Sequence, residues 1–191
     1  MKRYTFLLLL LIILFSCSDS LSEKEIKHFR EKGNLIVKKT AEELSENLMS
    51  KMKEGGIPEA VDFCSQKALH ITKKISDNQG ALIKRTSLKS RNTLNTPTEN
   101  ELFVIKEFQN KLNNGESLKP QVHLGQNGNP LYYAPILIEK KCLMCHGTLN
   151  KELSKSTDSI IKSYYQYDMA TGYSEGDLRG IWSISFIKSK S

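Results

Sequence analysis

The chain has 191 residues, with 28 lysines and arginines against 21 aspartates and glutamates, for a formal charge of +7. That length suits a single domain once a targeting segment is set aside. The opposite charges are interspersed along the chain rather than gathered in runs, which argues against nucleic acid as a partner.

Residues 1–16 read as a leader. Lys2 and Arg3 give a positive start, residues 6–15 are ten uninterrupted apolar side chains, and Ser16 and Cys17 follow. Ten apolar residues fall short of the roughly twenty that cross a bilayer, so the order matches a secretory signal peptide. An Ala-x-Ala cleavage site is missing, since the first alanine is Ala41. Leu14, Phe15, Ser16 and Cys17 instead resemble a bacterial lipobox, with Phe15 departing from the usual small residue. A lipobox implies that Cys17 is diacylated through its sulfur and becomes the first mature residue. Two or three acyl chains hold a protein stably at a membrane, where one would be marginal. The expected organisation is a signal peptide over 1–16, a lipidated tether over 17–23 and one domain over 24–191. Its expected place is the bacterial cell envelope, on the periplasmic side or at the outer membrane.

Beyond the tether, Ser22 and Glu25 spell a capping box that opens a helix running to about residue 53. Ile26, Phe29, Val37, Leu44, Leu48 and Met52 mark its apolar stripe. Gly55 and Gly56 end it, and Pro58 suits the first turn of a second helix reaching about residue 75. On that helix Val61, Cys64, Ala68, Ile71 and Ile75 recur at steps of three and four, so they share a face and Cys64 points into the core. His70 faces elsewhere. Asn78, Gln79 and Gly80 make a turn, residues 81–88 a strand, and residues 89–97 a polar run. Thr98 and Glu101 form a second capping box, for a helix to about residue 112. Residues 121–124 and 131–138 read as a hairpin, residues 151–161 as a short helix, and residues 180–187 as a closing strand. Helices first and then strands with one helix inserted predict an α+β fold around a small antiparallel sheet.

The cysteines carry the chemistry. Of four, Cys17 goes to lipid, Cys142 and Cys145 form a close pair, and Cys64 is left over. In an oxidising compartment an unpaired cysteine is buried, partnered or bound to a metal. Cys142, Leu143, Met144, Cys145 and His146 make the attachment motif for c-type haem. Its two sulfurs add to the porphyrin vinyl groups, and the adjoining histidine reaches the iron as an axial ligand. A thioredoxin-type pair would want an early strand–helix context, whereas this pair lies late and after a hairpin. A zinc site would need four ligands, which Cys64 and His123 could complete. The position opposite His146 is open to Cys64, His70, His123 or a methionine, and the choice sets the redox potential. Met144 lies inside the attachment loop and His28 near the tether, so neither is well placed.

Four ordered segments resemble a bacterial domain family long catalogued without a function. They are residues 85–97, with Arg85, Arg91, Asn92 and Asn95; residues 133–136, with Tyr133 and Pro135; residues 142–147; and residues 168–180, with Asp168, Gly172, Asp177 and Arg179. Together they span most of residues 24–188. Gln166 departs from the family, which often has a proline there. The structurally known member of that family is a cyanobacterial c-type haem protein with a PAS-like fold. The resemblance therefore implies a PAS-like domain holding one covalent haem c, with His146 and Cys64 as the two iron ligands. Arg85 and Arg91 are then candidates to hold the propionates, since guanidinium groups bind carboxylates in a bidentate manner. A solvated basic stretch is the competing reading of both. Asn92 and Asn95 are expected to shape the turn, Asp168 and Asp177 to accept backbone N–H groups, and the tyrosines at 164, 165, 167 and 173 to pack.

The function this implies is a haem-based redox or small-ligand sensor. Thiolate donation should lower the potential, and loss of Cys64 on reduction would open a place for a diatomic gas. An electron-transfer cytochrome is the alternative. A haem enzyme such as a peroxidase would need an open distal site that Cys64 blocks, so the expectation is a protein that is not an enzyme. Expected partners are the membrane, through the lipid anchor, and a redox or signalling protein.

Overall fold

Both capping boxes form. The Ser22 side chain accepts the Glu25 N–H while the Glu25 carboxylate accepts the Ser22 N–H at 2.9 Å, and Thr98 and Glu101 repeat the arrangement. The structure, a computed structural model, describes residues 20–187. The leader and Cys17 lie outside the described residues, and so do Ser18 and Asp19 of the tether.

Helix α1 spans Glu23–Gln66 and kinks where the glycine pair was expected to end it: Gly55 has φ −144° and Gly56 φ +67°. The left-handed value at Gly56 is one that a side chain resists. Helix α2, Ala68–Gln79, ends on Gly80 in the left-handed region. The expected second helix is thus divided at Lys67 between α1 and α2, and it runs on to Gln79. Its single apolar face is divided too. Val61 packs with Leu153 and Ile161, whereas Cys64, Ala68 and Ile71 join the main core. This part of the chain is covered on two sides, by the sheet and by the helix before the closing strand, so adjacent faces are both apolar and Phe63 is buried as well.

Four strands form one antiparallel sheet, β1 (Ala81–Thr86), β2 (Gln121–Leu124), β3 (Pro130–Leu137) and β4 (Leu178–Phe186), in the order β1-β4-β3-β2. β1 stops two residues early because Thr86 turns to the polar run, donating its hydroxyl to the Asn95 carbonyl at 2.7 Å. Helices α1 and α2 cover one face of the sheet. There Ile36, Leu44 and Phe63 meet Tyr132, Trp182, Ile184 and Phe186. Gly33 lets α1 come close, since a Cβ there would lie 2.3 Å from the Tyr132 ring, and the Tyr132 hydroxyl donates to Asn34 at 2.6 Å. Helix α3, Glu99–Asn113, covers the other face with Val104, Ile105 and Phe108 against Tyr133, Leu178 and Ile181.

Strand alternation then distributes the charges. Lys84 sits opposite Ser183 and turns to α3, pairing with Glu101 at 2.8 Å. Arg85 sits opposite Trp182, turns to the other face and lies over the indole at 5.6 Å. After β3 a 3-10 turn over Lys140–Cys142 leads into helix α4, Leu143–His146, an element the sequence patterns did not announce. Helix α5, Lys155–Tyr164, starts four residues later than expected because Ser154 caps it, accepting the Thr157 N–H at 3.0 Å. The result is the expected α+β architecture, an antiparallel sheet with N-terminal helices in a PAS-like arrangement. Among the described residues no helix is long and apolar enough to cross a membrane.

Candidate functional site

The attachment motif occupies a single helical turn. Spacing of three and four residues from Cys142 puts Cys145 and His146 on one side, while Met144 projects outward and is exposed. Cys142, Cys145 and Cys64 are free, half-buried thiols. Cys145 packs against Val61, Leu153 and Ile161, close to the turn of α1 that carries Cys64. Burial pushes both the Cys64 and the Cys145 thiol up. Arg85 and Arg91 pull Cys64 back down, and the two thiols are near enough that Cys145 adds to the upward push on Cys64. A redox-active cysteine pair would want the opposite, a thiol lowered toward neutrality.

His146 is held from one side only. Its Nδ1 lies 2.7 Å from the Ala170 carbonyl oxygen, which can only accept, so the neutral ring carries its proton on Nδ1 and its lone pair on Nε2. Burial pushes the imidazole down to about 3, aided by Arg91 and Arg179, and the Ala170 carbonyl only partly opposes them. The ring is therefore neutral at ordinary pH, with Nε2 available to a metal.

Ala170 belongs to a strap, residues 168–173, that runs beside α4. The Gly172 N–H donates to the Gly147 carbonyl at 2.9 Å and the Tyr173 N–H to the His146 carbonyl at 3.0 Å. Gly172 bends the strap with φ +73°. Tyr173 meets the His146 ring edge-on at 6.4 Å, with Lys89 at 4.3 Å and Arg179 at 5.6 Å from its own ring centre.

Three arginines converge here, and they are not equivalent. Arg91 donates to Asp168, Cys145 and Ala170. Among the described residues Arg85 has no carboxylate in ion-pair range and no hydrogen-bond partner, and burial lowers its guanidinium. Arg179 donates to the Lys89 carbonyl at 3.1 Å, shares a side-chain hydrogen bond with Tyr173, is likewise lowered by burial, and has no carboxylate in ion-pair range among the described residues. Sequence reasoning quoted Arg179 within a motif but gave it no role. No local signal marks it, because it becomes a site residue only when β4 passes beside the strap. Tyr165 was read as packing. It does pack beside Cys145, yet burial raises its hydroxyl to about 12 and it shares an electrostatic neighbourhood with Cys64, Arg91, Arg85 and Asp168.

The other ligand candidates lie elsewhere. His70 and His28 are exposed. His123 bonds to Gln121 at 2.9 Å and meets Tyr133 edge-on at 5.4 Å, on the face that α3 covers. Cys64 belongs to the opposite face, so a zinc site built from the cysteines and His123 does not assemble. Among the described residues no group of three or more His, Cys, Asp or Glu could hold a metal ion. Asn92 shapes its turn as expected, accepting the Leu94 N–H at 2.9 Å, and Asp177 accepts the Ser174 N–H at 2.7 Å.

A PAS-like α+β domain with an imidazole presented beside two cysteines on one helical turn defines the class. Comparison with known proteins narrows it. The family model described as Tll0287-like: Tll0287 matches residues 22–186, and the chain belongs to that family. The crystal structure of the cyanobacterial heme-protein Tll0287 is similar in fold, with a TM-score of 0.59 at 22% identity, covering 81% of this chain and 94% of that one. No curated protein matches the chain.

Proposed function

We propose that this chain is an envelope lipoprotein carrying one covalent haem c, and that it serves as a redox or small-ligand sensor rather than as an enzyme. The observation that carries the reading is the His146 imidazole, its Nδ1 proton committed to the Ala170 carbonyl and its Nε2 free, in the residue that follows Cys142 and Cys145. The donor set fits such a group. Cys142 and Cys145 would take the two thioether bonds and His146 Nε2 would hold the iron. Cys64, a half-buried thiol influenced by Arg85 and Arg91, would be its second protein ligand. Arg85 and Arg91, joined by Arg179, would answer the two propionates, and the lack of a carboxylate in ion-pair range of Arg85 and Arg179 among the described residues favours that assignment for them.

When bound, haem would supply an iron that changes oxidation state and exchanges an axial ligand. The chain's own part is to hold the imidazole neutral and oriented, and to enclose the Cys64 sulfur. With Cys64 as an iron ligand no place would be left for an acid–base residue, which is why we propose a sensor and not an enzyme. Lipid on Cys17 would keep the domain at the envelope membrane, where a redox or signalling protein would receive its output. The cyanobacterial relative is a heme-protein by its own description, which supports the cofactor assignment.

The test is to mature the protein in a host that attaches haem c and compare ferric and ferrous absorption spectra of wild type and Cys64→Ala. A Soret band that survives acid–solvent extraction, and altered spectra in the variant, are expected. Carbon monoxide binding to the reduced wild type would favour the sensor. A reduced form that stays six-coordinate and refuses carbon monoxide would leave an electron carrier. No Soret band at all would remove the reading.

A further inference from the structure

The imidazole is aimed by one carbonyl, so what holds that carbonyl matters. Asp168 lies with its side chain 1% exposed, and its Oδ1 accepts both the Arg91 Nε–H at 3.1 Å and the Ala170 N–H at 2.8 Å. Arg91, with its side chain 14% exposed, donates from Nη2 to the Cys145 carbonyl at 2.6 Å and to the Ala170 carbonyl at 3.3 Å. Ala170 is thus gripped at both ends, its N–H by Asp168 and its carbonyl by Arg91 and His146. The same guanidinium also holds the carbonyl of the residue just before His146.

A pair of this kind is a poor device for stability. Taking both charges out of water costs several kcal/mol before their attraction offsets it. Asp168 Oδ2 is buried with no hydrogen-bond partner among the described residues, so the carboxylate is only half satisfied. The backbone bonds at Gly172 and Tyr173 already fasten the strap to α4 without Arg91. What those two bonds leave undone is the direction of the Ala170 carbonyl.

We propose that Arg91 and Asp168 act as one positioning unit, presenting the Ala170 carbonyl to His146 Nδ1 and so fixing the plane in which Nε2 meets its metal. This rests on the haem-bearing reading above. Partners that orient a ligating histidine through its second nitrogen tune metal sites strongly, by 10–100-fold in affinity or activity when removed. Arg91 is suited to the task because a guanidinium reaches a carboxylate and two carbonyls from separate nitrogens held in one rigid plane, whereas an ammonium donates from a single freely rotating point.

The experiment uses haem-bearing protein throughout: wild type, Arg91→Gln, Asp168→Asn and the double variant, with Glu101→Gln as a broken ion pair on the opposite face. Electron paramagnetic resonance of the ferric state reads the orientation of the imidazole plane, and redox titration reads the midpoint. A single unit predicts that both single variants and the double change the g-value spread alike. The midpoint should move by about tenfold in the ferric-to-ferrous ratio, or 59 mV for one electron, and Glu101→Gln should leave the spectrum untouched. Unchanged g-values with opposite midpoint shifts that cancel in the double variant would mean plain charge effects, and would overturn the proposal. Should the Gln and Asn variants fail to fold, Arg91→Lys keeps the charge but not the fork. A wild-type spectrum from that protein would equally overturn it. A wild type without a Soret band would remove the haem reading itself, an outcome distinct from haem present with unmoved g-values.

Discussion

The two faces of the sheet are built to different ends. Under α3 lies an apolar layer of Val104, Ile105, Phe108, Tyr133 and Ile181, all nearly sealed from solvent, with the Lys84–Glu101 ion pair at its margin. On the other side the core of Ile36, Tyr132, Ile184 and Phe186 gives way, toward α4 and the strap, to buried or half-buried cysteine, histidine, arginine, aspartate and tyrosine. Apolar burial contributes about 25 cal/mol per Å², whereas an unpaired buried charge costs stability. The first face serves packing alone, and the second adds to the main core a thermodynamic burden that keeps donor groups in place.

Phe108→Ala should show the largest effect, a loss of about 3–5 kcal/mol in denaturant unfolding, with the haem spectrum of the remaining folded protein unchanged. A changed spectrum would break the separation of the two faces. Glu101→Gln comes next, at about 1.5–3 kcal/mol, since the Lys84 ammonium loses its carboxylate and keeps only the Thr96 carbonyl. Burial pushes the Glu101 carboxyl up, but Lys84, the Thr98 N–H and Ser183 together outweigh it, and the folded value lies below the ordinary 4.5. Its stabilisation is therefore complete above that value and is lost as pH falls through the lower folded one. Wild type should lose stability in that acid window more steeply than Glu101→Gln.

Gly33→Ala should cost about 1–3 kcal/mol, because the new methyl meets the Tyr132 ring that α1 packs upon. Thermal unfolding would read it. Arg85→Met should change stability least, by under about 1 kcal/mol or in the favourable direction, because no protein carboxylate loses a partner. A loss exceeding that of Glu101→Gln would show that Arg85 carries a structural load and would blur the contrast.

Much of the frame was legible from local patterns. The two capping boxes, a break in helical geometry at Gly55–Gly56 and the closing strand follow from side-chain chemistry within a few residues, and each formed, while the turn expected over 78–80 narrows to Gly80. The misjudged elements were those where tertiary contact overrides local preference. The stripe through Val61 and Cys64 was read as one face but serves two clusters, and α5 begins where Ser154 caps it rather than at residue 151. The helical turn α4 was missed because four residues are too few to show a period.

For the site, the sequence by itself determined the cysteine pair with its adjoining histidine, the surplus Cys64 and the strap motif, since spacing and residue type are local properties. The tertiary structure decided which nitrogen of His146 is left free, which arginine is internally paired and which two lack a carboxylate, and that His123 belongs to the other face. The physical reason is separation. His146 and Ala170 lie 24 residues apart, Arg91 and Cys145 lie 54, and Arg91 and Asp168 lie 77. Contacts that distant leave no periodic trace in a chain and exist only once the sheet has brought its ends together.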